Sequence, residues 1–127
     1  MFRAHSIHKT SFSTNEIIIF SSATENTGSG YSTTTGKFTA PIDGQYLFVK
    51  QICMQSGNYG YTAFVHNNNI VLKSLTGSNL YSCASAQTFL QLSKGDQFWV
   101  KATYSRSGFI QDQIEGTTYF AGVLMSY

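Results

Sequence analysis

Residues 36–48, GKFTAPIDGQYLF, read as a strand, a sharp turn and a second strand. Pro41 is the only proline of the chain. The residue before a proline is pushed towards extended geometry, so residues 37–40 are predicted to be β. Pro41-Ile42-Asp43-Gly44 has turn chemistry, with proline presetting one torsion and glycine free to take a positive one. From Gln45 the pattern is β again, rich in aromatic and branched residues. In residues 45–54, Tyr46, Phe48, Ile52 and Met54 fall on one face and Leu47, Val49 and Cys53 on the other. Both faces are mainly apolar, so this strand is expected to be covered on both sides.

The 127 residues fit one domain, expected to span 1–127, with enough chain for an independent core. Charged residues make up only 11% and aromatics 15%, a balance of a polar but weakly charged β surface. The net charge is +2 and no two Lys or Arg are adjacent, so the basic stripe of a nucleic-acid binder is missing. No apolar run approaches the ~20 residues of a membrane-spanning helix. No signal peptide opens the chain, which fits either a cytosolic protein or one whose signal has been removed. None of the asparagines begins an N-x-Ser/Thr sequon. Cys53 and Cys83 read either as two small buried apolar residues, the favoured reading, or as a disulfide.

No window sustains helical periodicity. Residues 2–5 form a first strand, and 16–20 (EIIIF) a second that is apolar on both faces. Residues 21–35 read as the longest loop, anchored by Tyr31. Strands follow at 61–66 and 70–75 about a hairpin tip at Asn67-Asn68-Asn69, since Asn tolerates left-handed geometry. Another strand ends at TFLQL (88–92), and Lys94-Gly95-Asp96 is a tight turn. In 97–104, Phe98, Val100, Ala102 and Tyr104 point inward, and Trp99 breaks the outward polar set. Residues 105–116 form a second long loop, and 117–127 a final strand apolar on both faces. Eight to ten short strands predict a sandwich or jelly roll. The strands apolar on both faces predict a sheet covered by other subunits.

The opening stretch resembles the signature of the complement C1q globular-head family, part of the C1q/tumour-necrosis-factor-like superfamily. Three further motifs fall in the same order: Asn26-x-Gly28 with Tyr31 and Gly36, Leu92-x-x-Gly95-Asp96-x-Phe98-Trp99-Val100, and Tyr119-Phe120-Ala121-Gly122-Val123-Leu124. Met1-Phe2-Arg3-Ala4 resembles the family's first strand. The resemblance implies a ten-stranded jelly-roll sandwich of two antiparallel sheets, and a secreted homotrimer with one sheet facing the threefold axis. With no Gly-X-Y run present, it implies a head without a collagen stalk. It also implies a trimeric lectin-like pattern-recognition module of innate immunity, binding glycans or microbial surface components. The alternative is a trimeric signalling or adhesion ligand for a protein receptor. Several relatives bind calcium through aspartates in the region matching residues 65–85, which here hold neither Asp nor Glu, so no cofactor is expected.

Catalysis is not expected: there is no G-x-S-x-G elbow, and no spacing pairs an acid with a base. Asp43 and Asp96 sit in glycine turns and are assigned to backbone amides. His5 and His8 lie on an extended segment without a third metal ligand, and His66 reads as a polar contact at a hairpin shoulder. Binding residues are instead sought on loops held by a rigid scaffold. One turn offers Asn58, Tyr59 and Tyr61; another offers Tyr104, Arg106, Gln111, Asp112 and Gln113. Aromatic faces stack on the apolar side of a sugar, amides bond its hydroxyls, and Arg106 suits an anionic group. The competing assignment makes Tyr59, Tyr61 and Tyr104 core or interface aromatics.

Overall fold

The computed structural model describes residues 1–113 and 116–126, apart from the side chains of 112, 113 and 116. Thirteen strands lie among the described residues: β1 (Phe2–Ile7), β2 (Ser11–Phe12), β3 (Phe20–Asn26), β4 (Lys37–Thr39), β5 (Gly44–Met54), β6 (Tyr59–His66), β7 (Asn69–Gly77), β8 (Ser82–Leu92), β9 (Gln97–Ala102), β10 (Arg106–Ser107), β11 (Asp112–Gln113), β12 (Gly116–Thr117) and β13 (Tyr119–Ser126). A five-stranded sheet runs β3-β1-β13-β5-β8, and a four-stranded sheet runs β4-β9-β6-β7. Neighbouring strands run antiparallel throughout both sheets, and two-residue ladders β10-β2 and β11-β12 complete the set. This is the all-β jelly-roll sandwich expected from the strand spacing.

The stretch 36–48 seats three aromatics at the centre. Phe38, Tyr46 and Phe48 are buried, with Phe38 5.6 Å from both other rings. Phe48 stacks at 3.8 Å on Phe98 of the opposite sheet, so this pair joins the two layers. The Tyr46 hydroxyl donates to the Ile42 carbonyl at 2.8 Å and ties the strand to the proline turn. Gly122 stands where an added Cβ would lie 2.5 Å from the Phe2 ring and 2.8 Å from that of Phe48, so β13 can cross the core only without a side chain there. The Asn26 side-chain amide clasps the Tyr31 backbone, donating to its carbonyl at 2.7 Å and accepting from its N–H at 3.1 Å, while the Tyr31 hydroxyl accepts from the Phe20 amide at 3.0 Å.

Four expectations need correction. Residues 20–26 form β3 rather than a loop, paired with β1. The strand is hydroxyl-rich because it is a sheet edge with much of its side-chain surface in solvent. Residues 16–18 are no full strand: they border β9 (Ile18 amide to Val100 carbonyl, 2.9 Å) before the chain crosses to the other sheet. Their apolar character on both sides reflects that crossing, which buries Ile18 and Phe20. Tyr104 points outward and is 56% exposed, because β9 ends at Ala102 and the alternation ends with it. Finally, Cys53 and Cys83 form a disulfide between directly opposed positions of β5 and β8.

Other local features match their residue chemistry. Asn67 and Asn68 adopt φ of 47° and 74° at the β6–β7 tip, the left-handed pair that a two-residue hairpin needs. The Asp43 carboxylate accepts from the Lys94 amide at 2.6 Å, and Asp96 from the Ser93 amide at 3.0 Å. Trp99 is buried on the outer side of its sheet, under the Lys37 ammonium 4.5 Å from the ring.

Candidate binding site

The outer face of the four-stranded sheet is built in cross-strand rows. Tyr61 of β6 stands opposite Leu75 of β7. The next row sets Ala63 between Lys101 of β9 and Lys73 of β7, and the third sets Val65 between Trp99 and Ile70. Beyond the end of β9, the Thr103 amide donates to the Tyr61 carbonyl at 2.9 Å and keeps the departing chain in register. The chain then returns as β10, which pairs Arg106 with Phe12.

That return brings three expected residues together. The Tyr61 and Tyr104 rings meet edge to face, 5.0 Å apart at 78°. The Arg106 guanidinium lies 5.0 Å from the centre of the Tyr61 ring, and its Nη1 donates to the Ser105 carbonyl at 2.8 Å. A cation over a phenol face is attracted by the ring quadrupole. Beside them an open groove of about 420 Å³ is lined by Asn15, Tyr61, Ile70, Lys73, Leu75 and Tyr104, among others.

The remaining expected residues lie elsewhere. Asn58 donates to the Ser56 carbonyl at 3.3 Å and covers Gly108, where an added Cβ would lie 2.5 Å from its Cγ. Tyr59 is exposed and packs on Gly77. Gln111 donates to the Ile7 carbonyl at 2.8 Å and borders a different cleft, with Ser6, His8 and Ser21. The side chains of Asp112 and Gln113 lie outside the described residues. Lys73, Asn15, Ile70 and Leu75 were not anticipated. Lys73 carried the one available signal, as the sole Lys, Arg, Asp or Glu in 65–85.

Two carboxylates, Glu16 and Asp96, are held in local ion pairs. Glu16 accepts from the Ser13 amide and pairs with Lys9, whose hydrogen bond holds its carboxyl below the usual range. His66 meets Asp96 at 2.9 Å and lowers the pKa of that carboxyl in the same way. Lys50 is instead buried in the core. It is 1% exposed between the sheets, with its Nζ donating to Thr62 Oγ1 at 2.8 Å and lying 4.7 Å from the Phe64 ring centre. Burial pushes its pKa down to about 7. Among the described residues, no three His, Cys, Asp or Glu side chains gather as metal ligands.

The five-stranded sheet presents a second surface. On its outer face Leu47 stands between Phe89 and Val123, and Val49 between Gln87 and Ala121. Phe89 is 62% exposed, and Leu47, Val49, Val123 and Tyr119 are only half-buried. A cleft of about 700 Å³ beside Val49 is bordered by Arg3, His5, Tyr119 and Ala121.

The C1q domain model matches residues 1–125. Complement C1q tumor necrosis factor-related protein 3 of Mus musculus is 31% identical over 114 residues, covering 87% of this chain and 45% of the relative. Complement C1q tumor necrosis factor-related protein 2 of Homo sapiens is 28% identical over 102 residues, 79% of this chain and 35% of the relative. The chain thus spans less than half the length of these curated relatives. Among solved structures, the globular domain of zebrafish complement 1qA protein superposes with a TM-score of 0.78 at 17% identity, over 98% of this chain and 95% of that one. Eiger TNF from S. frugiperda gives 0.74 at 16% identity, over 98% and 91%.

Proposed function

Since the chain belongs to the C1q domain family, and is therefore a non-catalytic binding module of the C1q/tumour-necrosis-factor superfamily, we propose that it is the head of a secreted homotrimeric ligand for a protein receptor. The observation that carries this reading is the composition of the groove. Tyr61, Tyr104 and Arg106 form one contact cluster, flanked by exposed Ile70 and Leu75. Tyrosine and arginine beside exposed aliphatic surface is the make-up of a protein-binding hot spot. The trimer is supported by the half-open apolar face about Leu47, Val49 and Phe89, which a second and third copy would cover. Secretion is supported by the Cys53–Cys83 disulfide, since such bonds persist in oxidising compartments.

A glycan-binding head is the second reading, favoured by the exposed Tyr104 ring beside Arg106. Against it, the amides expected to bond sugar hydroxyls, Asn58 and Gln111, stand away from the aromatic pair. In both readings three weak sites gain avidity on one trimer. Light scattering checks the trimer, and a stable monomer removes the avidity argument. Labelled protein is then applied to cells treated with protease or with glycosidases. Loss on protease treatment, together with a blank array of unsulfated glycans, is the expected result. Binding that survives protease and vanishes with glycosidases selects the glycan reading. Arg106→Ala should abolish the cell binding while leaving the trimer intact.

A further inference from the structure

The outer face of the four-stranded sheet carries a second kind of information, in its charge. None of β4, β6, β7 and β9 contains an Asp or Glu, while β4, β7 and β9 each contribute one lysine: Lys37, Lys73 and Lys101. The register puts all three on the outer side. Lys37 stands opposite Trp99, and Lys101 and Lys73 flank Ala63. Cross-strand spacing sets Lys101 and Lys73 about 10 Å apart, two strand steps. Lys37 and Lys101 are diagonal neighbours at about 7–8 Å. Arg106 adds a fourth cation over Tyr61 of β6, one row beyond Lys73 and one strand nearer the centre of the sheet. Glu16, on the border of the sheet, is already paired with Lys9 and the Ser13 amide. The net charge of +2 therefore hides a face of one sign.

We infer that this face binds a linear sulfated polysaccharide laid across the strands, along the path Lys37, Lys101, Lys73 and Arg106. The charge pattern selects a polyanion. Its placement selects the kind. A sheet recognises an extended peptide mainly through backbone hydrogen bonds at a free edge. Here the three lysines are spread over β4, β9 and β7, across the width of the sheet, so a peptide added along either edge would meet only one of them. A sulfated polysaccharide brings its charge at intervals on a stiff chain and needs no backbone partner. Its sugar rings have apolar faces suited to Tyr61 and Tyr104. Polysaccharide binding here does not depend on the trimer or on a protein receptor, and its test uses neither.

The test applies the full chain to immobilised heparin and measures affinity against salt concentration. A polyanion releases counterions on binding, so each cation removed from the contact should lower the slope of log K against log salt by about one. Lys73→Gln/Lys101→Gln should lower it by about two and elute earlier than wild type. Lys94→Gln, a loss of one charge at the β8–β9 turn, should leave the slope unchanged for its position. Should the double variant misfold by circular dichroism, exposed Lys73→Gln alone gives half the effect. An unchanged slope for the lysine variants, or an equal loss for Lys94→Gln, overturns the assignment. Equal binding to desulfated heparin or to polyglutamate also overturns it, because the face would then be reading the sugar chain without its sulfates, or charge alone.

Discussion

Replacing Lys50 by methionine tests the electrostatics of the core directly. The Lys50 ammonium sits between the sheets, bonded to one hydroxyl and resting against one ring, with no carboxylate among the described residues to neutralise it. Its pKa falls from 10.5 in the unfolded chain to about 7 in the fold. Between those values the unfolded chain holds a proton that the folded chain has released, so stability rises with pH and is lost as pH falls. Integrated from pH 7 to pH 9, this one group adds roughly 2 kcal/mol to the free energy of unfolding. In a domain of this size that corresponds to about 8 °C in Tm. Methionine has a similar length and no charge, so Lys50→Met should remove this gain from the profile. Urea denaturation followed by circular dichroism at pH 7, 8 and 9, at one fixed protein concentration, reads both proteins. Parallel pH profiles for wild type and variant would show that water reaches the amine or that an unseen anion pairs with it, and would refute the reasoning.

Two further predictions concern the fold. Cys53 and Cys83 are separated by 30 residues, and closing a loop of that length removes about 3.6 kcal/mol of unfolded-state entropy at 25 °C in the chain-entropy model. The double variant Cys53→Ala/Cys83→Ala should lose about that much in the same urea assay, and a loss under about 1 kcal/mol would mean the reduced chain is already constrained. Gly122→Ala places a methyl group within contact of Phe2 and Phe48, and should cost about 1–3 kcal/mol by overpacking; an unchanged Tm would show that the two rings can move aside.

The parts of the molecule legible in the sequence were those with strong local chemistry. Phe38, Tyr46 and Phe48 alternate about a proline–glycine turn, and Asn67 and Asn68 carry their own left-handed preference, so both the β4–β5 corner and the β6–β7 hairpin could be read directly. β3 could not. An edge strand needs only backbone pairing on one side, and the Ser, Ala and Thr of 21–24 carry no alternation to betray it. The Cys53–Cys83 pairing was equally hidden, because it depends on β5 meeting β8 in one register across the intervening β6–β7 hairpin. The site was partly legible. Tyr61, Tyr104 and Arg106 were chosen as loop aromatics with a cation, and they do meet. Lys73 was missed, since its place on the outer face follows from the pairing of β6 with β7 and from a bulge between Phe64 and Val65. Asn58 and Gln111 carry amides suited to sugar hydroxyls, yet each bonds backbone and neither lines the groove.

The pairing of β1 with β13 also has a mechanical consequence. Phe2 lies opposite Gly122 and His5 opposite Tyr119, so the start of the first strand and the end of the last lie at one pole. A load applied between Met1 and Ser126 would meet this ladder from its open end. The hydrogen bonds would be peeled one after another rather than sheared together, and the Cys53–Cys83 crosslink, between β5 and β8 on the far side of β13, would carry none of the tension while this ladder opens. The head is thus braced covalently at one edge of its main sheet and yields like a zip fastener at the centre of that sheet.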